Sequence, residues 1–218
     1  FARSAVWQQA AWQVRAVTPV GELAYVLHIA GAHNVKNSLA ALTCALAAGV
    51  PLDAISRGLS AFEPVKGRSR ALHVTYQGRG ITLVDDTYNA NPDSVRAATD
   101  VLAALPGTRL LVLGDMGEVG DQGPQFHAEA LRYALEKNIE KVLVTGVATA
   151  QAATQFESVQ VLTDMANLQQ SVLAALPGVA SVLVKGSRFM KMERVVQAML
   201  DATDTASAAP ANTGGAAC

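Results

Sequence analysis

The chain has 218 residues, of which 50% are hydrophobic and 16% charged, with a formal net charge of −1. Such a length predicts one or two domains, the apolar fraction excludes a disordered chain, and the near-neutral balance excludes a broad electrostatic footprint for nucleic acid or an anionic membrane. No apolar run reaches the roughly 20 residues of a membrane-spanning helix, and the only two cysteines, Cys44 and Cys218, have neither metal-ligand spacing nor a disulfide framework, as expected for a cytoplasmic protein.

The opening segment FARSAVWQQAAWQVRAV carries neither an initiating Met nor the design of a signal peptide, so the chain is expected to be a piece of something longer. Residues 12–30 alternate apolar and polar side chains around Pro19, Val20 and Gly21, which predicts a hairpin with one buried face. HNVKNSLAALTCALAAG reads as a helix closed by Gly49, and Pro51 with Asp53 opens a second helix with Leu52, Ile55, Leu59 and Phe62 on one stripe. Two strands and two helices predict the end of an incomplete α/β domain over residues 1–65.

EPVKGRSR, residues 63–70, breaks the periodicity and is the expected hinge. ALHVTY and ITLVDD, joined by QGRG, predict an antiparallel hairpin at a sheet edge. RLLVLGD, KVLVTG, VQVLT and SVLVKG then recur as short apolar runs separated by helical patterns. Strands without polar alternation predict a mostly parallel sheet covered on both faces. The fold class expected over residues 66–201 is therefore α/β, a complete Rossmann-like domain. The small, polar residues 202–218 are expected to be a disordered end.

Residues that follow parallel strands share one crevice. Here they are Asp86, with Asp85, Thr87 and Asn89; then Asp115 and Glu118; then Lys185, Ser187 and Arg188. Asp86 suits the vicinal diol of a ribose, or equally a turn. Asp85 points the opposite way along its strand and is expected to be structural, whereas Asn91 before Pro92 suits an N-cap. The Lys-Gly-Ser-Arg turn before a helix suits an anion, against the alternative of a solvated basic turn. GDMGEVGDQGPQFH places three carboxylates and His127 in a long loop that has no second ligand cluster to make a metal site. Asn34 and Asn37, three apart at a helix start, can pair with the donor and acceptor edge of adenine or simply serve as a cap and polar first turn. Arg68 can reach a phosphate as a planar fork, or remain an exposed linker arginine.

Taken in order, GAHNVKNSLAA (31–41), KGR (66–68), VDDTYNANPDS (84–94), LGDMGEVG with His127, and VLVKGSR (182–188) resemble the Mur ligases of bacterial cell-wall synthesis. The resemblance implies a UDP-sugar domain, a central ATP-binding domain and a C-terminal Rossmann-like domain, of which this chain holds the end of the second and the whole of the third. Within the family, the motif set matches the activity that joins D-Ala-D-Ala to UDP-MurNAc-tripeptide through an acyl phosphate, with ATP and Mg²⁺. It further implies Asn34 and Asn37 at the adenine, Asp86 at the ribose and Arg68, as the catalytic cation, at the phosphates. Lys185, Ser187 and Arg188 are matched to a substrate carboxylate, and Asp115 and Glu118 to the dipeptide side. A monomer is expected, without nucleic-acid or membrane partners. The phosphate loop G-x-x-x-x-G-K-[ST] is absent from these residues, and the family's metal ligands are expected mostly upstream, which makes the piece inactive alone. The competing readings are a non-catalytic α/β binding module, and another Mur ligase or a folylpolyglutamate synthetase.

Overall fold

A computed structural model describes residues 1–205. Residues 206–218, including Cys218 and most of the expected disordered end, lie outside the described residues. Strands β1 (Ala2–Gln8), β2 (Ala11–Thr18) and β3 (Gly21–Leu27) form an antiparallel three-stranded sheet in that order. The β2–β3 hairpin was expected; β1 was not. Helices α1 (Ala32–Ala47) and α2 (Leu52–Ser60) follow. Alternation along the hairpin points Val14, Ala16, Leu23, Tyr25 and Leu27 at Val35, Leu42 and Ile55 of the helices. Inside this layer the Tyr25 hydroxyl is 2.7 Å from Ser38 Oγ, and burial raises the phenol's pKa against that hydrogen bond.

The second unit is a seven-stranded sheet, ordered β10-β4-β5-β9-β6-β7-β8. It comprises β4 (Arg70–Tyr76), β5 (Arg79–Asp86), β6 (Arg109–Leu113), β7 (Lys141–Val144), β8 (Val159–Val161), β9 (Ser181–Lys185) and β10 (Asp204–Thr205). The five strands from β5 to β8 run parallel, whereas β4 pairs antiparallel with both β5 and β10. The fold class is thus the one the apolar runs predict. Helix α7 (Glu193–Ala202) and β10 carry regular structure four residues past 201, because β10 finds a partner in the exposed edge of β4.

Side chains along each central strand alternate between two cores. Leu111, Leu113, Val142, Val144 and Leu183 face α3 (Pro92–Ala103), α4 (Gly123–Glu136) and α5 (Val147–Ala153). Leu110, Val112, Leu143, Val182 and Val184 face α6 (Met165–Ala175) and α7. Burial on both faces is why these strands need no polar positions; each fully buried Leu contributes about 2 kcal/mol. The last parallel strand in sequence, β9, sits between β5 and β6, with Lys185 in register with Asp86 on one side and Leu113 on the other. That insertion brings three strand ends together.

The two units join at the linker. Ala30 donates its N–H to the Ser69 carbonyl, and Ile29 bridges Arg70. Gly67 has φ 79°, and a Cβ there would meet Tyr88 N at 2.8 Å, so the linker requires a residue without a side chain.

Candidate functional site

An open cleft of about 400 Å³ lies where the units meet, bounded by the start of α1, the linker, the turn after β5, the first turns of α3 and the end of β9. The ligand candidates Asn34, Arg68, Asp86 and Lys185 line it, together with Asn89 and Asn91. Asn34 gives one amide hydrogen to the Ala30 carbonyl at 2.7 Å and accepts from Asn37 Nδ2 at 3.1 Å. Asn37 is exposed and keeps its amide oxygen and one N–H free among the described residues, the donor–acceptor pair an adenine edge needs.

Asp86 is well supplied with donors. Its Oδ1 accepts from Ser69 N at 2.9 Å and Ser69 Oγ at 3.2 Å, and its Oδ2 from Lys185 Nζ at 2.6 Å. Lys185 is 2% exposed and gives a second hydrogen to the Asn89 carbonyl at 2.8 Å. The ammonium thus serves Asp86 and the β5 turn first, leaving at most one donor for a ligand. Asp85 turns away, accepting from Gly67 N, Thr87 N and Thr87 Oγ1. Asn91 caps α3 through a reciprocal pair with Ser94.

The other selected residues lie apart from the cleft wall. Asp115 accepts four hydrogen bonds from the start of α5: Val147 N, Ala148 N, Thr149 N and Thr149 Oγ1, at 2.7–3.3 Å. Such a carboxylate is filled by its own fold. Gly146 makes the approach possible, since a Cβ there would lie 2.3 Å from Asp115 Oδ1. Glu118 is exposed at φ 58°. Ser187 is 1% exposed, donates its N–H to the Asp115 carbonyl, and leaves Oγ without a partner among the described residues. Helix α7 begins at Glu193 rather than directly after Arg188, with a short 3₁₀ turn at Arg188–Met190 between, so the Lys-Gly-Ser-Arg turn does not sit on a long helix's amides.

His127 is fully buried and accepts the Met116 N–H on Nε2 at 2.8 Å, which puts its ring proton on Nδ1, 2.6 Å from the Gly123 carbonyl. It therefore pins the loop after β6 to α4. Arg68 and Arg188 both lie over the ring of Tyr88, a residue sequence reading passed over; its signal was a lone aromatic in an otherwise polar turn. Among the described residues no three His, Cys, Asp or Glu side chains are grouped to hold a metal, and no helix is long and apolar enough to cross a membrane.

The model of the family described as Mur ligase, glutamate ligase domain, matches residues 69–188. The chain is 36% identical over 184 residues to the UDP-N-acetylmuramoyl-tripeptide--D-alanyl-D-alanine ligase of Escherichia coli (strain K12), covering 84% of this chain and 40% of that protein. It is 37% identical over 191 residues to the enzyme of the same name from Haemophilus influenzae, covering 85% and 41%. A crystal structure of MurF from Acinetobacter baumannii superposes with a TM-score of 0.74 at 32% identity, over 92% of this chain and 44% of that one. MurF from Thermotoga maritima in complex with ADP has the same TM-score at 20% identity, which speaks to the fold. The chain spans well under half the length of these relatives.

Proposed function

Since the chain belongs to the Mur ligase family, we propose that it forms the C-terminal part of an ATP-dependent ligase that joins D-Ala-D-Ala to UDP-MurNAc-tripeptide. The observation that carries this reading is the shared cleft. Asn34 at the start of α1 and Arg68, Asp86 and Lys185 of the linker and strand ends line one space, although they come from two units. Similarity to ligases of that name over more than four-fifths of the chain supplies the substrate class.

In this reading residues 1–65 close a central nucleotide-binding domain and residues 66–201 form the acceptor domain. The amides of Asn37 and Asn34 meet the adenine edge, Asp86 accepts from the ribose hydroxyls, and Arg68 reaches the phosphates. Holding Asp86 between Ser69 and Lys185 fixes its orientation before ligand arrives. The tripeptide carboxylate takes the γ-phosphoryl group as an acyl phosphate, which the dipeptide amine attacks with loss of phosphate. Cations counter charge that builds on the transferring group. Mg²⁺ would add charge neutralisation on the phosphates, but the described residues group no ligand set for it, so no step here runs through it. Ser187, beside the loop carrying Glu118, is the acceptor-side candidate. The enzyme works as a cytoplasmic monomer, with residues 63–70 the hinge on which the site closes.

The test is phosphate release from ATP by a chain of the relatives' length containing these residues. Release that requires both UDP-MurNAc-tripeptide and D-Ala-D-Ala supports the reading. Release with a single amino acid in place of the dipeptide points to another Mur ligase or a folylpolyglutamate synthetase, and no release with any acceptor to a binding module. Arg68→Ala should lower turnover far more than unfolding stability; equal loss of both removes Arg68 from the phosphate role.

A further inference from the structure

Two guanidinium groups share one aromatic ring beside the cleft. Arg68 Cζ lies 4.0 Å from the Tyr88 ring centroid and Arg188 Cζ 5.5 Å from it, so the two carbons are separated by no more than those lengths laid end to end. Arg68 comes from the linker and Arg188 from the turn after β9, and Tyr88, in the turn after β5, is what they have in common. Neither arginine has a carboxylate within 4 Å among the described residues, unlike Arg3, Arg57 and Arg109, which each hold one. The neighbouring Asp86 and Lys185 neutralise each other, and Asp85 is occupied by Gly67 and Thr87. Both guanidinium groups beside Tyr88 are therefore left without a direct carboxylate partner among the described residues.

A guanidinium that stacks on a ring uses its face and leaves the N–H donors at its edge free. Those edges suit oxygens of a phosphate, which can take paired N–H donors from each arginine. Mutual repulsion between the arginines is relieved by an anion that both contact. We propose that Tyr88 is a positioning residue that splints Arg68 and Arg188 into one two-guanidinium clamp for a phosphate-bearing ligand. The clamp puts Arg188 on the same anion as Arg68, rather than on a separate peptide carboxylate. It holds for any phosphate ligand and does not depend on which reaction the chain serves.

The experiment is an NMR titration of the 218-residue chain with inorganic pyrophosphate, following the arginine Nε–Hε signals, with D-Ala-D-Ala titrated in parallel. Both Arg68 and Arg188 should move with one midpoint, and D-Ala-D-Ala should move neither. Tyr88→Phe keeps the ring and should hold the midpoint, whereas Tyr88→Leu should raise it about fivefold, the size of effect a lost cation–ring contact gives at an exposed site. Amide spectra of the variants establish that they fold. The proposal is overturned if pyrophosphate moves Arg68 alone, if D-Ala-D-Ala moves Arg188, if neither arginine responds, or if Tyr88→Leu binds like the unaltered chain.

Discussion

Lys185 and Asp86 close a buried ion pair at 2.6 Å, tying the end of β9 to the end of β5 across 99 positions of sequence. Taking one partner away leaves the other charge without compensation in a site that water barely reaches. Lys185→Met should cost about 3 kcal/mol in urea unfolding. The double variant Lys185→Met/Asp86→Leu, which removes both charges, should lose less than the sum of the single changes. Additive losses would mean that the pair is not coupled.

Asp115 is the cap of α5, a helix of seven residues whose own N-cap, Gly146, has no side chain to offer. Asp115→Ala orphans three amides and the buried Thr149 hydroxyl. The expected loss is about 2 kcal/mol, or roughly 4–8 °C in melting temperature. Faster amide exchange at Val147 and Thr149 should accompany it. An unchanged melt would show that water replaces the carboxylate at no cost.

What the sequence made legible follows from how local each signal is. The parallel strands could be read because burial on both faces removes every polar position from Leu110–Leu113 and Val182–Val184. Strand β1 was missed because most of its side chains are exposed and it shows no apolar alternation. The insertion of β9 between β5 and β6 pairs Ser181 with Thr82 on one side and with Arg109 on the other, both far away in sequence, and no local pattern encodes it. For that reason Lys185 and Asp86 could each be selected as polar strand ends, but not as partners. Asp115 is the converse case. Its position after a strand suggested a ligand, while the clue to its structural work lay 31 residues on, in a helix that begins at a bare glycine. His127 was expected in a long loop, but α4 already begins at Gly123 and carries it, and the Met116 amide it accepts is set by tertiary packing.

Arg109 and Glu140 predict a limited acid sensitivity. Hydrogen bonding to the Arg109 guanidinium lowers the Glu140 pKa from 4.5 to about 2. With the folded-state value depressed, the unfolded chain takes up the proton more readily, so the pair's contribution is complete above about pH 4.5 and is lost as pH falls towards 2. The Glu140 side chain is 42% exposed, and solvent screening holds that contribution to about 1 kcal/mol. The stability gap between the unaltered chain and Glu140→Gln, measured by urea unfolding from pH 7 down to 3, should therefore narrow below 4.5. A gap that is constant over this range would sink the assignment.

His127 holds the loop after β6 through a single amide. The Met116 N–H has the ring Nε2 as its acceptor, and the ring is fixed in turn by the Gly123 carbonyl at the start of α4. His127→Ala removes the acceptor and opens a void beneath a fully buried position, which should cost about 2–3 kcal/mol. Other backbone bonds still hold the loop: Gly114 N to the Lys185 carbonyl, Gly117 N to the Ala90 carbonyl and Ser187 N to the Asp115 carbonyl. Loosening should therefore centre on Met116 and fade on either side. Hydrogen exchange read residue by residue checks this: Met116 should lose more protection than Gly114 or Gly117, beyond the general loss of stability. Uniform acceleration across the domain would mean that His127 acts as core filling and that the loop is held by its other bonds alone.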